Sequence, residues 1–225
     1  VPGVVAIITN DNLPDVLKDK RMAQPYPSPV LKQGICCHIL AANEVNYVGQ
    51  TVAVVIAESR HLAEDAAALI AVNYQVLDAV IDCQVAYKEG APLAHCSAPD
   101  NIVATLKAKF GDVDVAFANA AHVVSISDHH HRGGCHAMET RGVIAEDDPS
   151  CGEITLWSAT QCPYLVRRLV AQHLDIPESS LRVIAPDVGG GFGPKASVYP
   201  EEVVVCIASR MLSRPIKWIE DRREH

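Results

Sequence analysis

The alternation of hydrophobic and polar positions divides the chain into two units, and the first combines strands with one helix. Three runs rich in Val, Ile and Tyr predict strands at 4–9, 52–57 and 74–81. An apolar stripe of helical period predicts a helix over 60–72, with Ser59 as its N-cap. The order strand, helix, strand therefore predicts an α+β unit over residues 1–83.

The second unit follows a stretch without clear periodicity. Residues 84–110 contain Gly90 and Pro92 and predict a linker. In residues 111–225, short apolar runs predict strands at 123–127, 141–145, 153–157, 181–185 and 216–219. Helical stripes predict helices at 163–174 and 201–212, and Pro163 suits a first helical turn. Alternating strands and helices predict a mixed α/β domain.

Composition and charge exclude several classes of protein. Of the 225 residues, 49% are hydrophobic and 20% are charged, which is ordinary for a globular chain. The formal net charge of −8 argues against a surface that binds nucleic acid or anionic lipid. No apolar run reaches the roughly 20 residues of a transmembrane helix, and no signal peptide is recognisable.

Eight cysteines raise the question of disulfides or bound metal. None of them forms a C-x-x-C pair, so neither a zinc ribbon nor a ferredoxin-type cluster is supported. In an apolar chain of this length we expect free, buried thiols in a reducing compartment, and hence a cytoplasmic location.

The heptapeptide Gly-Gly-Gly-Phe-Gly-Pro-Lys at Gly189–Lys195 is the strongest candidate for a binding loop. Consecutive glycines let the backbone approach a ligand closely and present N–H donors to an anion or an oxo group. The P-loop pattern fails because Pro194 precedes the lysine and Ala196 follows it. Pro194 also prevents the dinucleotide-binding pattern. The alternative is a glycine-rich turn that binds nothing.

Gln161 is the sharpest side-chain candidate, because it ends a predicted strand-to-helix turn from which an amide could point into a site. Glutamine offers donors and an acceptor without titrating, which suits a metal-oxo ligand whose charge changes. An exposed turn glutamine is the alternative. The tract His129–His131 suggests a metal site, but adjacent strand residues face opposite sides, so a surface role is favoured. Glu201 and Glu202 suit a helix N-terminus.

Two of these segments resemble the molybdenum-binding subunit of the xanthine oxidase family. That family includes xanthine dehydrogenases, aldehyde oxidases and aerobic carbon monoxide dehydrogenases. The resemblance is carried by the glutamine segment Ser158–Pro163 and by Arg182–Lys195, which contains the glycine loop. Further segments match in family order, at 136–141, 199–202 and 215–225. Residues 48–72 resemble the family's small hammerhead domain, and the chain is most similar to large chains of the bacterial carbon monoxide dehydrogenase type.

The resemblance implies an α+β fold, with a hammerhead-type α/β domain followed by the first part of a mixed α/β molybdopterin-binding domain. It places Gln161 beside the molybdenum centre and Gly190, Gly191, Phe192 and Gly193 around the molybdopterin. The backbone N–H of Phe192 would donate to a molybdenum ligand. No side chain of this chain is expected to ligate the metal directly. The family's catalytic glutamate would lie outside this stretch, so the chain is expected to be part of a longer subunit.

The resemblance also implies cofactors, partners and an activity. The molybdopterin would be the cytosine dinucleotide form, and an iron–sulfur subunit with 2Fe-2S clusters and an FAD subunit would carry electrons away. A second molybdenum-domain chain is a further possible partner. The enzyme would oxidise a small molecule with water as the oxygen source. Ala196 stands where xanthine-oxidising members carry a glutamate, which favours an aldehyde, an N-heterocycle or CO. The alternatives are a non-catalytic scaffold or assembly subunit and a cofactor-free fragment.

Overall fold

A computed structural model describes residues 1–24, 28–130 and 133–224. The first unit is built on a two-stranded antiparallel sheet of β1 (Val4–Thr9) and β2 (Ala53–Ala57), in which Ile7 lies opposite Val55. Helix α1 (Arg60–Ala67) packs against this sheet, and the Ser59 hydroxyl accepts the Leu62 N–H at 3.4 Å. The predicted N-cap is therefore confirmed, although the helix ends five residues earlier than expected.

The stretch between the two sheets differs most from the prediction. Residues 74–81 and 123–127 were expected to be strands, but within the described ranges they pair with no other strand. A strand needs a neighbour to take its backbone hydrogen bonds, and both segments are exposed to solvent. Two short helices, α2 (Cys83–Ala86) and α3 (Val113–Ala118), were not predicted, and each begins at an aspartate whose carboxylate accepts a backbone N–H.

The second unit is a four-stranded sheet in the order β5-β4-β3-β6. Its strands are β3 (Gly142–Asp148), β4 (Glu153–Ser158), β5 (Leu181–Ile184) and β6 (Ile216–Ile219). Strands β4 and β5 are parallel and are joined by α4 (Pro163–Leu174), whereas β3 is antiparallel to both β4 and β6. Helix α5 (Pro200–Leu212) connects β5 to β6. None of the helices in the described ranges is long and apolar enough to cross a bilayer.

The two units share one hydrophobic core. Helices α4 and α5 bury their apolar sides against the sheet, and the same cluster of buried side chains continues into Ile8, Leu17 and Leu40 of the first unit. His173 on α4 joins the units, because its Nε2 atom accepts the Ala23 N–H at 3.1 Å. Burial lowers the pKa of His173 to about 4, and the nearby Lys20 ammonium adds to this effect.

None of the eight cysteines forms a disulfide, but most of them are not buried as the sequence analysis expected. Only Cys206, on α5, is fully enclosed, and burial raises the pKa of its thiol. Four thiols are exposed: Cys83, Cys96, Cys135 and Cys151. The expectation failed because these four residues lie in turns and in irregular or short helical segments, away from the core that encloses Cys206.

Candidate functional site

The sheet topology brings the predicted site residues to one edge. Because β4 and β5 are parallel, the turns that follow their carboxyl ends are neighbours. Gln161 lies in the turn after β4, and the loop Gly189–Lys195 follows β5. The antiparallel strand β3 begins at this same edge, just after Arg141. Ligands of open α/β sheets bind at the carboxyl ends of parallel strands, so the topology itself indicates a binding site here.

Gln161 connects the two turns through hydrogen bonds. Its side-chain Oε1 accepts the N–H of Gly193 at 3.0 Å. Its own backbone N–H donates to the carbonyl of Lys195 at 2.9 Å, and the hydroxyl of Thr160 donates to that carbonyl at 3.1 Å. The side chain is exposed, so the amide is fixed by the loop rather than by burial in the core.

The glycine loop needs its glycines for close approach and for its backbone conformation. A Cβ atom on Gly191 would lie 2.3 Å from Oε1 of Gln161, a distance that no real contact tolerates. Gly190 has φ of 95°, Phe192 of 54° and Gly193 of 103°, in the left-handed region that favours glycine. The structure thus brings together all five residues that the sequence analysis singled out, and it leaves the ring of Phe192 69% exposed.

Several donors at this edge have no acceptor among the residues that the structure describes. Among the described residues, the backbone N–H groups of Gly191 and Phe192 donate to no protein atom, and neither does Nε2 of Gln161. Backbone N–H groups in such a loop form a concave surface for an anion or an oxo group. The donor set therefore fits a ligand that is rich in oxygen or sulfur acceptors.

Glu139 is a residue of this site that the sequence analysis did not single out. Its Oε2 atom accepts the N–H of Gly189 at 2.8 Å and the ammonium of Lys195 at 2.6 Å. Partial burial acts to raise the pKa of the Glu139 carboxyl, but the bonds from Lys195 and Gly189 outweigh it and lower the pKa below its usual value. The available signal was an acidic residue in the segment 136–141 and a lone lysine in an apolar, glycine-rich loop.

Arg141 contacts residues that follow the glycine loop and connects them to the start of β3. Its guanidinium lies 2.8 Å from Oε1 of Glu220 and 3.2 Å from Oε2 of Glu201. It also stacks over the ring of Tyr199, 4.0 Å from the centroid. The Tyr199 hydroxyl in turn donates to the carbonyl of Pro194 at 2.6 Å. Charge pairing and stacking therefore connect the start of β3 to the end of the glycine loop.

Glu202 lies deeper and links α5 to β4. Its carboxylate accepts the N–H of Tyr199 at 2.6 Å and the hydroxyl of Ser158 at 3.2 Å. Burial raises the pKa of Glu202 to about 7. The first of these bonds caps the N-terminus of α5, as the position of Glu202 in the sequence indicated.

The histidine tract does not form a metal site with the residues that the structure describes. His129 and His130 are exposed, and Nε2 of His130 lies 2.8 Å from the equally exposed Asp128. His131 lies outside the described residues. No group of three or more His, Cys, Asp or Glu side chains in the described ranges is arranged to hold a metal ion.

Comparison with known families matches both units. Residues 94–225 match the family described as the molybdopterin cofactor-binding domain. Residues 1–78 match the a/b hammerhead domain of aldehyde oxidase and xanthine dehydrogenase. The chain therefore belongs to the family of molybdopterin cofactor-binding proteins that includes the aldehyde oxidases and xanthine dehydrogenases, and its fold is the predicted hammerhead unit followed by a mixed α/β unit.

Individual relatives agree with this assignment. The chain is 44% identical over 187 residues to the nicotine 6-hydroxylase large subunit of Paenarthrobacter nicotinovorans, covering 83% of this chain and 23% of that protein. It is 36% identical to the carbon monoxide dehydrogenase large chain of Hydrogenophaga pseudoflava, covering 100% of this chain and 29% of that one. The solved structure of quinoline 2-oxidoreductase from Pseudomonas putida 86 superimposes with a TM-score of 0.89 at 38% identity, covering 100% of this chain and 28% of that one.

These relatives are much longer than the chain, which spans about a quarter of the length of each. The matched part contains the glycine loop and Gln161, so the family assignment and the site geometry concern the same residues.

Proposed function

We propose that the complete protein is a molybdopterin-dependent oxidoreductase that oxidises a small molecule with water as the oxygen source. The observation that carries this proposal is the convergence of Gln161 and the loop Gly189–Lys195 at one sheet edge.

The residues present fit a molybdenum–molybdopterin cofactor. When bound, the cofactor supplies the oxidative chemistry, and the protein contributes binding, orientation and electrostatics. The N–H groups of Gly191 and Phe192 would hold acceptor atoms of the cofactor, and Nε2 of Gln161 would donate from the neighbouring turn. Gln161 carries no titratable group, so its contact would survive changes in charge at the centre. The absence of a Cβ at Gly191 leaves room for the side chain of Gln161 against the loop.

The substrate that we propose is an N-heterocycle, with an aldehyde or CO as the other classes. Ala196 is the residue that supports this choice, because its methyl group cannot hydrogen-bond a purine. Discrimination in favour of a hydrogen-bonding substrate comes from a polar partner in the site, and alanine at position 196 does not supply one. Two of the more similar relatives are named for nicotine and for quinoline, at 44% and 38% identity. A putative xanthine dehydrogenase subunit of Escherichia coli is 31% identical.

The proposed assembly is a complex of several subunits, as the names of the relatives suggest. Their names describe a large subunit, a large chain and a subunit gamma of a complex. By analogy we assign this protein an iron–sulfur subunit with 2Fe-2S clusters, an FAD subunit and a second molybdenum-domain chain as partners. The molybdopterin would be the cytosine dinucleotide form. We also propose a cytoplasmic location, a compartment in which cysteines such as the eight of this chain remain reduced.

The test is a turnover comparison in the purified complete protein with one electron acceptor. Substrates would be an N-heterocycle that is not a purine, an aldehyde, CO, hypoxanthine and xanthine. We expect the most efficient turnover with the N-heterocycle and poor turnover of both purines. Gln161→Ala should lower kcat on the preferred substrate by roughly 10- to 1,000-fold, the scale on which a preorganised donor contributes. The control is Gln172→Ala, an exposed glutamine on α4, which should leave kcat unchanged.

Two results would contradict this proposal. Efficient xanthine oxidation would refute the substrate class, although not the cofactor. A protein without molybdenum and without turnover on any of the five substrates would refute the enzyme and favour the scaffold.

A further inference from the structure

The glycine loop is held at both of its ends by one carboxylate. Oε2 of Glu139 accepts the backbone N–H of Gly189, where the loop begins, at 2.8 Å. The same oxygen accepts the ammonium of Lys195, where the loop ends, at 2.6 Å. Lys195 is only 3% exposed, and in the described part of the chain Glu139 is the one carboxylate within ion-pair distance of it.

Lys195 connects Glu139 to Gln161 through its side chain and its carbonyl. Its side chain is fixed by Glu139, and its carbonyl accepts the backbone N–H of Gln161 and the hydroxyl of Thr160. A shift of Lys195 would therefore move the acceptor that fixes the glutamine turn. Gln161 is also bonded to the loop directly, because its side-chain Oε1 accepts the N–H of Gly193.

Glu139 is partly exposed, but its backbone and its contact with Gly189 are restrained by neighbouring residues. The guanidinium of Arg222 donates to the carbonyls of Ala137 and Met138, at 2.5 and 3.2 Å, and so fixes the backbone just before Glu139. A Cβ on Gly189 would lie 2.6 Å from Cβ of Glu139, so Gly189 is the residue that admits this side chain. The contact is therefore built by residues on three separate segments.

We propose that Glu139 is a positioning residue that clamps the loop Gly189–Lys195 and thereby holds the N–H groups of Gly191 and Phe192 in line for the cofactor. That the clamped loop serves a cofactor rests on the proposed function. That Glu139 clamps the loop rests on the contacts alone, and the two statements are tested by separate measurements.

The experiment compares backbone hydrogen exchange in the complete protein, prepared in cells that make no molybdopterin. Its readout is the exchange rate of peptides covering Gln161 and 188–195, measured by mass spectrometry. Glu139→Ala should exchange at least about tenfold faster in these peptides, because local opening of the loop becomes easier. The control is Glu178→Gln, which removes a solvent-exposed partner of Arg167 at 3.3 Å and should change neither peptide.

A double variant separates positioning from the burial of an unpaired charge. Glu139→Ala leaves the buried ammonium of Lys195 without its carboxylate partner, and we expect this loss to lower the melting temperature. Glu139→Ala/Lys195→Met removes that charge and should recover most of the melting temperature while the loop peptides still exchange fast. Unchanged exchange in Glu139→Ala would overturn the clamp, and so would restoration of slow exchange in the double variant.

Molybdenum content of the cofactor-loaded protein then tests the role of the clamp. We expect at least a several-fold lower content in Glu139→Ala and in the double variant, with Glu178→Gln unchanged. Normal content in both variants would overturn the positioning role. If the unsubstituted protein itself holds no molybdenum, the proposed function fails, and the exchange rates still decide whether Glu139 clamps the loop.

Discussion

Residues 69–130 are at least as rich in apolar residues as residues 141–224, but only residues 141–224 form a packed sheet. This region forms a four-stranded sheet with two helices, and its side chains Leu156, Val166 and Val203 are completely buried. The region 69–130 contains two short helices and no paired strand among its described residues, and Val76 and Val124 are 90% exposed. Hydrophobicity alone therefore does not produce a sheet, because each strand also needs a partner in the right register.

The same contrast separates the candidate site from its surroundings. The loop Gly189–Lys195 lies in the region of the four-stranded sheet, where its backbone is hydrogen-bonded to Gln161, Glu139 and Tyr199. His129 and His130 are exposed, and Nε2 of His130 lies 2.8 Å from the exposed Asp128. Side chains are preorganised for binding only where rigid elements support them, which places the site on the sheet rather than on the histidine tract.

The largest expected difference is in the free energy of unfolding of a matched pair of leucine variants. Leu156→Ala on β4 should lower it by about 4 kcal/mol, because a fully buried side chain leaves a cavity. Leu106→Ala should lower it by less than about 0.5 kcal/mol, because Leu106 is 79% exposed. Urea unfolding of the 225-residue chain measures both. Equal losses would break the comparison, since the exposed segment would then be packed in solution.

A smaller effect is expected in the pH dependence of stability through His173. Its pKa is about 4 in the folded chain, below the unfolded value, so the unfolded state binds the proton more readily. The stability that His173 contributes is complete above about pH 6.5 and is lost as the pH falls towards 4, by up to about 3 kcal/mol.

Glu202 changes the stability of the folded chain with pH in the opposite direction, so the effect of His173 has to be measured as a difference between two proteins. Its pKa of about 7 lies above the unfolded value, so the stability it contributes is complete below about pH 4.5 and is lost as the pH rises through 7. Subtracting the unfolding curve of His173→Gln from that of the unsubstituted chain cancels this contribution. The control is the exposed His122→Gln, which should leave the pH dependence unchanged. A difference curve that is flat from pH 4 to 6.5 would contradict the account.

The sequence sufficed for elements whose partners are close by or whose ends carry strong local signals. Helix α4 and strand β6 have the predicted bounds, and Pro163 marks the first turn of α4 as expected. The site residues Gln161 and Gly191 were identified from motifs, and the structure places them in contact. The strands expected at 74–81 and 123–127 failed because strand propensity carries no information about the pairing partner.

Glu139 could not be found in this way for a related reason. Its partners Gly189 and Lys195 lie 50 and 56 positions away, and only the antiparallel placement of β3 beside β4 brings them within reach. Arg141 and Glu220 are a second pair of this kind, joined across 79 positions. The predicted domain limits at 83 and 110, and the cofactor roles of Gln161 and Phe192, stay predictions.

The most direct test of the central claim is the molybdenum content of two glycine variants, purified in parallel as the complete protein. Gly191→Val places a side chain where even its Cβ would lie 2.3 Å from Oε1 of Gln161. By contrast, Gly133→Ala adds a methyl group that has no non-neighbouring atom of the described residues within 4 Å. If the glycine loop holds the cofactor, Gly191→Val retains essentially no molybdenum and Gly133→Ala retains as much as the unsubstituted protein. Unchanged molybdenum content in Gly191→Val would remove this loop from the site and contradict the account.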